Sequence, residues 1–239
     1  MGFREEISRA ASASEDTFFG WFDNAQDKES SFVRGSWDFM LHIAQPIAPY
    51  LARPEDKAAL EIGHGGGRML AAASRCFNQV IGVDVHDHNE QVEAALKVRG
   101  ANNVQLIRAE GAALPVESDH VDCVYSFIVL QHVEKYSIFE RYFEESYRVL
   151  KPGGVAVLYF GRRYVWSFNR SSRLLYVLDR LTEAVLIGHG FEEVPAPVNS
   201  TNLRVSLAHA KGLAESIGFT ILRTLVSRRK VPDGVSLYG

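Results

Sequence analysis

A run of alternating glycines follows an acidic residue in the first third of the chain. Residues 59–68 read ALEIGHGGGR, so Glu61 is followed at every second position by Gly63, Gly65 and Gly67. Glycine lets the backbone turn sharply and lets a ligand approach without a Cβ in the way. A helix that starts after such a loop also offers unpaired N–H groups. The pattern therefore predicts a ligand-binding loop.

The spacing of these glycines excludes two common nucleotide-binding patterns. A dinucleotide fingerprint G-x-G-x-x-G beginning at Gly63 would need glycine where Arg68 stands, and one beginning at Gly65 would need it at Leu70. A P-loop would need Gly-Lys-Ser or Gly-Lys-Thr after the glycines, which this loop lacks. The pattern present is an acid followed by G-x-G-x-G.

Further acidic residues follow the next two apolar runs. Asp84 ends the run VIGVD, 21 residues after Gly63. A carboxylate at the tip of a strand can accept hydrogen bonds from both hydroxyls of a ribose. Glu110 and Gly111 follow the third apolar run. A glycine loop, a ribose acid and an acid for an exocyclic amine together describe a nucleoside pocket.

Short apolar runs alternate with amphipathic segments and must position these residues. The predicted strands are 58–62, 80–85, 104–107, 121–126, 155–160, 220–226 and 235–238. The predicted helices after the first strand are 68–76, 90–99, 138–150 and 207–217, and a Pro232-Asp233-Gly234 turn precedes the last strand. This alternation predicts a parallel sheet covered on both faces, and right-handed crossovers make it doubly wound.

The sequence resembles the class I S-adenosylmethionine-dependent methyltransferases, especially the type 11 group of small-molecule enzymes. The matching segments are LEIGHGGG (60–67), VIGVDV (80–85), AEGAALP (109–115), VDCVYSFIVLQHV (121–133) and RVLKPGGVAVL (148–158). The resemblance implies an α/β fold with a helical cap. Its sheet would be doubly wound, Rossmann-like and mostly parallel, with seven strands of which the last is antiparallel. It implies S-adenosyl-L-methionine as cofactor and S-adenosyl-L-homocysteine as product.

The resemblance also assigns cofactor contacts to ten residues of this sequence. The methionine part should be faced by Glu61, Gly63, Gly65 and Gly67 and lined by backbone groups of Ser126 and Phe127. The adenosine part should be held by Asp84 at the ribose, Val85 against the adenine ring, and Glu110 and Gly111 at the adenine amino group.

Methyl transfer from a sulfonium needs mainly an aligned nucleophile and the exclusion of water, and a general base helps a hydroxyl acceptor. His132, just beyond the fourth strand, is the candidate catalytic base by resemblance; the alternative is an imidazole packed structurally under that loop. His64 is a second candidate. The segment His86-Asp87-His88 lacks a third convergent ligand, so the sequence predicts no metal site.

We expect four segments along the chain. Residues 1–55 should form an N-terminal helical lid, and 56–161 the cofactor-binding core. Residues 162–205 should form a helical cap or substrate insertion, and 206–239 a C-terminal helix and strand pair that complete the sheet.

A basic segment lies after the fifth predicted strand. Residues 151–182 hold six basic residues and one acidic residue, although the whole chain has a net charge of −3. Arg162 and Arg163 in this segment, and Trp37 in the N-terminal lid, are candidate substrate contacts for an anionic small molecule. The alternative is an amphipathic lid helix with its arginines in solvent, whose apolar face is Leu174, Leu178, Leu181 and Val185.

The composition is that of an ordinary globular protein. Of 239 residues, 46% are hydrophobic and 23% charged, which excludes disorder, collagen and coiled coil. The acidic net charge argues against a chain-wide nucleic-acid surface. The sequence contains no signal-peptide pattern and no apolar run of membrane-spanning length, and Cys76 and Cys123 have no CxxC spacing, so we expect a cytoplasmic protein with free thiols. The sequence predicts no particular oligomeric state.

We expect methyl transfer to a small-molecule acceptor through oxygen, nitrogen or carbon, with oxygen favoured. Two alternatives remain open. One is a nicotinamide-dependent oxidoreductase or epimerase on a Rossmann domain, against which the failed dinucleotide spacing counts. The other is a non-catalytic methyltransferase-fold module that binds a partner protein or RNA through the basic segment.

Overall fold

The computed structural model describes residues 2–163, 177–178, 181–182, 185–186, 188–225, 229–230 and 236–237. The chain divides into two compact units. The first comprises Met1–Phe127 and Arg148–Leu158, and the second comprises Ile128–Tyr147 and Tyr159–Gly239.

A parallel sheet forms the centre of the first unit. Its five strands are β1 (Ala58–Ile62), β2 (Gln79–Asp84), β3 (Val104–Arg108), β4 (Val121–Ser126) and β5 (Leu150–Leu158). They lie in the order β3-β2-β1-β4-β5, and every neighbouring pair is parallel. The strand order therefore reverses between β1 and β4. In open sheets of this kind, ligands bind outside the carboxyl ends of the strands at such a reversal.

Helices precede and alternate with these strands. They are α1 (Phe3–Ala13), α2 (Glu15–Trp21), α3 (Lys28–Phe39), α4 (Gln45–Ile47), α5 (Leu70–Ala73), α6 (Asn89–Val98) and α7 (Tyr136–Val149). A π-helical turn, Met40–Ala44, joins α3 to α4, and a 3₁₀ turn, Pro54–Asp56, precedes β1. Side-chain caps fix two starts, because Ser14 accepts a hydrogen bond from the Thr17 N–H and Asp27 accepts one from the Ser30 N–H.

The sheet is buried on both faces, as its continuous apolar strands predict. Leu60 and Val80, on neighbouring strands, are fully buried, and so are Cys123, Val124 and Tyr125 on β4. Asp122 ties the opposite, amino-terminal end of the sheet together: its carboxylate accepts the Ala58 N–H at 3.0 Å and the Lys151 ammonium at 2.9 Å. Lys151, counted in the basic segment, is therefore neutralised within the sheet.

Among its described residues, the second unit contains most of α7, two short antiparallel pairs and a further helix after them. Strand β6 (Phe191–Glu193) pairs with β7 (Leu203–Val205), and β8 (Arg229–Lys230) pairs with β9 (Ser236–Leu237). Helix α8 (Leu207–Ile217) begins at Ser206, whose hydroxyl accepts the His209 N–H, and ends at Gly218 with φ +122°.

The predicted parallel α/β architecture is confirmed, but within the described residues the sheet has five strands where seven were expected. Residues 220–225 carry no regular secondary structure, and Leu222 is half exposed, so this segment buries too little apolar surface to join the sheet. Strands β8 and β9 pair with each other instead of completing the parallel sheet, because closing a short loop costs little entropy. The Pro232-Asp233-Gly234 turn lies outside the described residues.

The predicted amphipathic lid helix is described in part. Residues 177–178 and 181–182 are helical, and Leu178, Leu181 and Val185 expose 47%, 56% and 77% of their surface. Leu174 lies outside the described residues. Within the described ranges, the chain has no helix that is both long and apolar enough to cross a membrane.

Candidate functional site

The glycine loop leaves the carboxyl end of β1 in left-handed backbone conformations. Gly63, Gly65 and Gly67 have φ of +76°, +53° and +75°, values that side-chain-bearing residues adopt at a cost. The Gly63 N–H donates to the Val83 carbonyl oxygen at 2.7 Å, which ties the start of the loop to β2. The alternating glycines thus form a fixed turn above β1 and β2.

Asp84 joins the tip of β2 to this loop. Its Oδ2 accepts the Gly65 N–H at 2.7 Å, and its Oδ1 accepts the Val85 N–H at 2.7 Å. Burial opposes ionisation of Asp84, but the nearby His86 and His64 and these N–H groups outweigh it and lower its pKa below the usual value. Asp84 therefore lies ionised at the carboxyl edge of the sheet.

Glu61 is an acid buried in the neighbouring strand. Its side chain is 4% exposed, and Oε2 accepts a hydrogen bond from the Tyr125 hydroxyl at 3.0 Å. Burial raises the pKa of Glu61 to about 8, although the Tyr125 hydrogen bond and the charge of Arg68 act against the rise. A cation placed against this carboxyl group would favour its ionised form.

Two buried histidines flank the carbonyl group of Gly65. His64 Nδ1 and His86 Nε2 each lie 2.9 Å from the Gly65 oxygen, so both nitrogens donate hydrogen bonds to it. Burial lowers the pKa of His64 to about 4, which keeps its ring neutral near pH 7. His64, Asp84 and His86 offer three potential metal ligands within 4.8 Å of one another.

The N-terminal helices pack directly on the glycine loop. A Cβ added to Gly65 would meet the Phe22 ring at 2.7 Å, and one added to Gly66 would meet Phe19 at 2.8 Å. Arg4 Nε donates to the Val85 carbonyl oxygen at 2.8 Å. Gly65 and Gly66 thus make room for two of the chain's own aromatic residues, which the glycine pattern did not reveal.

A buried ion pair fastens the same helices to the end of the loop. Arg68 Nη1 lies 2.6 Å from Asp38 Oδ2 on α3, and Arg68 Nε lies 3.9 Å from Asp23 Oδ2. All three side chains are at most 9% exposed. Sequence reasoning noted Arg68 as the residue that breaks the dinucleotide spacing, and missed this role.

The other predicted cofactor residues lie at the same carboxyl edge of the sheet. The Ser126 hydroxyl donates to the Ile62 carbonyl oxygen at 3.2 Å, which joins the ends of β4 and β1. Phe127 is buried and stacks on His42, with ring centroids 4.8 Å apart and planes 17° apart. Glu110 and Gly111, after β3, are exposed, and Gly111 has φ +65°.

His132, the predicted catalytic base, belongs to the second unit. Its Nδ1 donates to the Ser200 carbonyl oxygen at 2.6 Å, and its Nε2 lies 3.2 Å from the side-chain amide of Gln131. Burial lowers the pKa of His132, against the effect of the Ser200 hydrogen bond. This environment favours the structural alternative weighed for His132.

The predicted substrate contacts have contrasting surroundings. Arg162 is 5% exposed and forms a parallel β-bridge with Val205, whereas Trp37 is 65% exposed on α3. The Arg163 guanidinium packs close to Gly190: its Nη1 lies 2.9 Å from the position that a Cβ at residue 190 would occupy. The remaining arginines of the basic segment, Arg170, Arg173 and Arg180, lie outside the described residues.

Comparison with known proteins identifies the central part of the chain. Residues 60–158 match a family model described as a methyltransferase domain. An uncharacterized methyltransferase of Mycolicibacterium vanbaalenii is 35% identical over 99 residues, which cover 41% of this chain and 37% of that protein. A protein of Mycolicibacterium smegmatis, named for S-adenosylmethionine-dependent methyl transfer, is 28% identical over 65% of this chain and 57% of its own length.

A solved structure extends the similarity to most of the fold. A SAM-dependent methyltransferase from Methanosarcina mazei matches with a TM-score of 0.57 and 22% identity, covering 83% of this chain and 95% of that one. The matches with the first curated relatives span less than two fifths of their length. The sequence match and the parallel sheet agree on the same segment: residues 60–158 match the methyltransferase domain model, and the fold is the Rossmann-like α/β fold of that solved structure.

Proposed function

We propose that this protein transfers a methyl group from S-adenosylmethionine to a small-molecule acceptor. The observation that carries the proposal is the pair of acids at neighbouring strand ends, Glu61 buried beside the β1–β4 reversal and Asp84 at the tip of β2. S-adenosylmethionine supplies a methyl group already activated on a sulfonium, so the protein has mainly to bind, align and exclude water.

The charges of the two acids fit the two ends of this cofactor. Glu61 is a buried carboxyl group with a raised pKa, and the cationic methionine end of the cofactor would offset the cost of its ionisation. Asp84 is held ionised, and each of its oxygens already accepts a backbone N–H. Since a carboxylate oxygen has more than one lone pair, Asp84 can also accept a ribose hydroxyl.

The remaining contacts follow from position along the edge of the sheet. Gly63, at the carboxyl end of β1, and the backbone of Ser126 and Phe127 would lie along the methionine part. Val85 would pack against adenine, with Glu110 and Gly111 at its amino group. Phe22 and Phe19 pack against Gly65 and Gly66 of the loop between the two acids, which would limit the access of water.

For the acceptor, the sequence after β4 supports a small molecule rather than a nucleobase. This chain reads Ser126-Phe127-Ile128-Val129 where amino-group methyltransferases of nucleobases carry an Asn/Asp-Pro-Pro-Tyr/Phe motif. An oxygen acceptor is favoured. Arg162 and Arg163 would then recognise an anionic group on the acceptor, because a guanidinium pairs well with carboxylate or phosphate.

The test is a screen of a bacterial small-molecule extract with S-adenosylmethionine labelled in its methyl group. We expect one or a few extract compounds to gain the label, and mass spectrometry of the products identifies the acceptor and the atom methylated. Absence of labelled product, in a preparation that also fails to bind S-adenosylhomocysteine, would contradict the proposal. Replacing Arg162 and Arg163 with Gln should raise the acceptor KM about tenfold and leave cofactor affinity unchanged.

A further inference from the structure

A π-helical turn interrupts the long N-terminal helix where it reaches the sheet. At Met40–Ala44 the Gln45 N–H bonds to the Met40 carbonyl oxygen, five residues back instead of four. Such turns are rare and occur frequently at functional sites, because they insert an extra residue into the helix and re-aim its side chains. His42 lies in the middle of this turn.

The turn lies across the carboxyl end of β4. Phe39, just before it, packs edge-on against the Tyr125 ring at 5.8 Å, and Tyr125 donates to Glu61. His42, three residues later, stacks on Phe127 at 4.8 Å. His42 therefore lies beside the reversal of strand order between β1 and β4, where a doubly wound sheet binds its ligand.

His42 also differs in exposure from its neighbours in the turn. Ile43 is fully buried and Leu41 is 53% exposed, whereas His42 is half-buried. A half-buried imidazole can meet a ligand on one side and exchange a proton with solvent. His64, the second candidate from the sequence, is only 3% exposed and lacks this access to solvent.

We propose that His42 contacts the methyl acceptor and removes its proton during transfer. The proposal rests on the proposed methyltransferase function. A lone pair of the acceptor oxygen forms the bond to the methyl carbon, the carbon–sulfur bond breaks, and its electron pair stays on sulfur. The acceptor's proton passes to the imidazole of His42, which releases it to solvent. Phe127 holds the ring in place by stacking.

The substitution His42→Phe tests the role of the imidazole nitrogens separately from that of the stacking ring. Phenylalanine keeps an aromatic face against Phe127 but can neither accept nor donate a proton. His42→Ala removes both the ring and the nitrogens. His120→Phe is the matched control, since His120 is exposed at the opposite end of β4.

Three measurements apply to each variant: calorimetric affinity for S-adenosylhomocysteine, transfer of tritiated methyl from S-adenosylmethionine to the bacterial extract, and the imidazole signal of His42 by NMR. We expect His42→Phe to bind S-adenosylhomocysteine within about threefold of wild type and to transfer methyl about 100-fold more slowly, as for loss of a general base. His120→Phe should match wild type. Saturating S-adenosylhomocysteine should shift the His42 signal, identified by its absence in His42→Phe.

Each contrary outcome has a distinct meaning. If His42→Phe transfers methyl at the wild-type rate and only His42→Ala is slow, the ring serves packing alone, and the catalytic role is overturned. An unshifted His42 signal at saturation would overturn its placement beside the site. A wild-type protein that neither binds S-adenosylhomocysteine nor labels the extract would overturn the proposed function itself, and the role of His42 with it.

Discussion

Glu61 and Asp84 are two acids at neighbouring strand ends whose surroundings move their pKa values in opposite directions. Burial raises the pKa of Glu61 to about 8, although the Tyr125 hydroxyl donates a hydrogen bond to its carboxyl group. Asp84 is also buried, but the backbone N–H groups of Gly65 and Val85 and the nearby histidines lower its pKa. A neutral acid that a cation can ionise therefore lies beside an acid that is already ionised.

Loss of the Asp84 carboxylate should weaken binding of S-adenosylhomocysteine by about 10- to 100-fold, because a hydrogen bond to a charged group contributes about 1.5–3 kcal/mol. The measurement is calorimetry on Asp84→Ala and on Asp84→Asn, which keeps an acceptor for the Gly65 N–H. Asp87→Ala is the control, since Asp87 is exposed and pairs with Arg108 at the surface. Equal affinity for S-adenosylhomocysteine in wild type and both Asp84 variants would contradict the assignment of Asp84 to the ribose hydroxyls.

Glu61→Gln should make the stability of the protein less dependent on pH. Because the pKa of Glu61 is raised from 4.5 to about 8 on folding, its stabilising contribution is fully present below pH 4.5 and is lost as pH rises toward 8. Glutamine retains an oxygen for the Tyr125 hydroxyl and does not ionise. Thermal unfolding should show equal Tm values at pH 4.5 and a variant several degrees more stable at pH 8.

The same substitution should weaken binding of the cationic cofactor about tenfold at pH 8, since the ionised carboxylate is lost. A variant that is no more stable than wild type at pH 8 would mean that Glu61 is ionised without cost.

The spacing of Glu61 and Asp84 before and after the glycines was readable from the sequence. Their opposite pKa shifts were not, because these depend on Tyr125 and on backbone N–H groups from other elements.

At the scale of elements, the N-terminal helices and the glycine loop form one packed layer. Phe22 occupies the space above Gly65, and Arg68 pairs with Asp38 inside α3. Phe39, Ile43 and Ile47 recur at the spacing of one helix face, and all three residues are buried. That spacing also included Met40, which is 51% exposed, because the π-helical turn changes the phase of the helix.

Arg68→Met should destabilise the protein by about 3 kcal/mol, because it leaves the buried Asp38 carboxylate without its 2.6 Å partner. Arg75→Met, at an exposed arginine seven residues later, should change stability by no more than about 0.5 kcal/mol. Urea denaturation measures both. Equal midpoints for the two variants would show that the ion pair does not hold the helices on the loop.

Gly65→Ala should lower both stability and cofactor affinity. Its Cβ would lie 2.7 Å from the Phe22 ring, in a backbone conformation with φ +53° that alanine adopts at a cost of about 1 kcal/mol. Adding Phe22→Ala should recover the steric part of the loss but not the part due to backbone strain. Thermal unfolding of the single and double variants separates the two contributions, and an unperturbed single variant would contradict the close packing.

At the scale of the whole molecule, the alternation of strands and helices was sufficient to predict the parallel sheet. Four of its strands, β1 to β4, lie within one or two residues of their predicted bounds, and β5 begins earlier, at Leu150. The C-terminal strands were misjudged, because whether a short apolar run joins a sheet depends on the surface available to cover it. The sequence around Leu222 and Leu225 carries no information about that surface.

The two units also differ in how much of the proposed chemistry they hold. All ten residues of the predicted cofactor set lie within the first unit, on β1, β2 or β4 or in the loops that follow β1 to β4. His132, Arg162 and Arg163 belong to the second unit. The residues proposed for the cofactor thus lie in the first unit, and the arginines proposed for the acceptor lie in the second.

The most direct test of the account is a calorimetric titration of the wild-type protein with S-adenosylhomocysteine, with NAD⁺ titrated in parallel. The acid-x-G-x-G-x-G loop, the buried Glu61 and the ionised Asp84 predict one molecule of S-adenosylhomocysteine bound per chain and no heat with NAD⁺. Binding of NAD⁺ with no response to S-adenosylhomocysteine would contradict the account and would favour an oxidoreductase built on the same type of sheet.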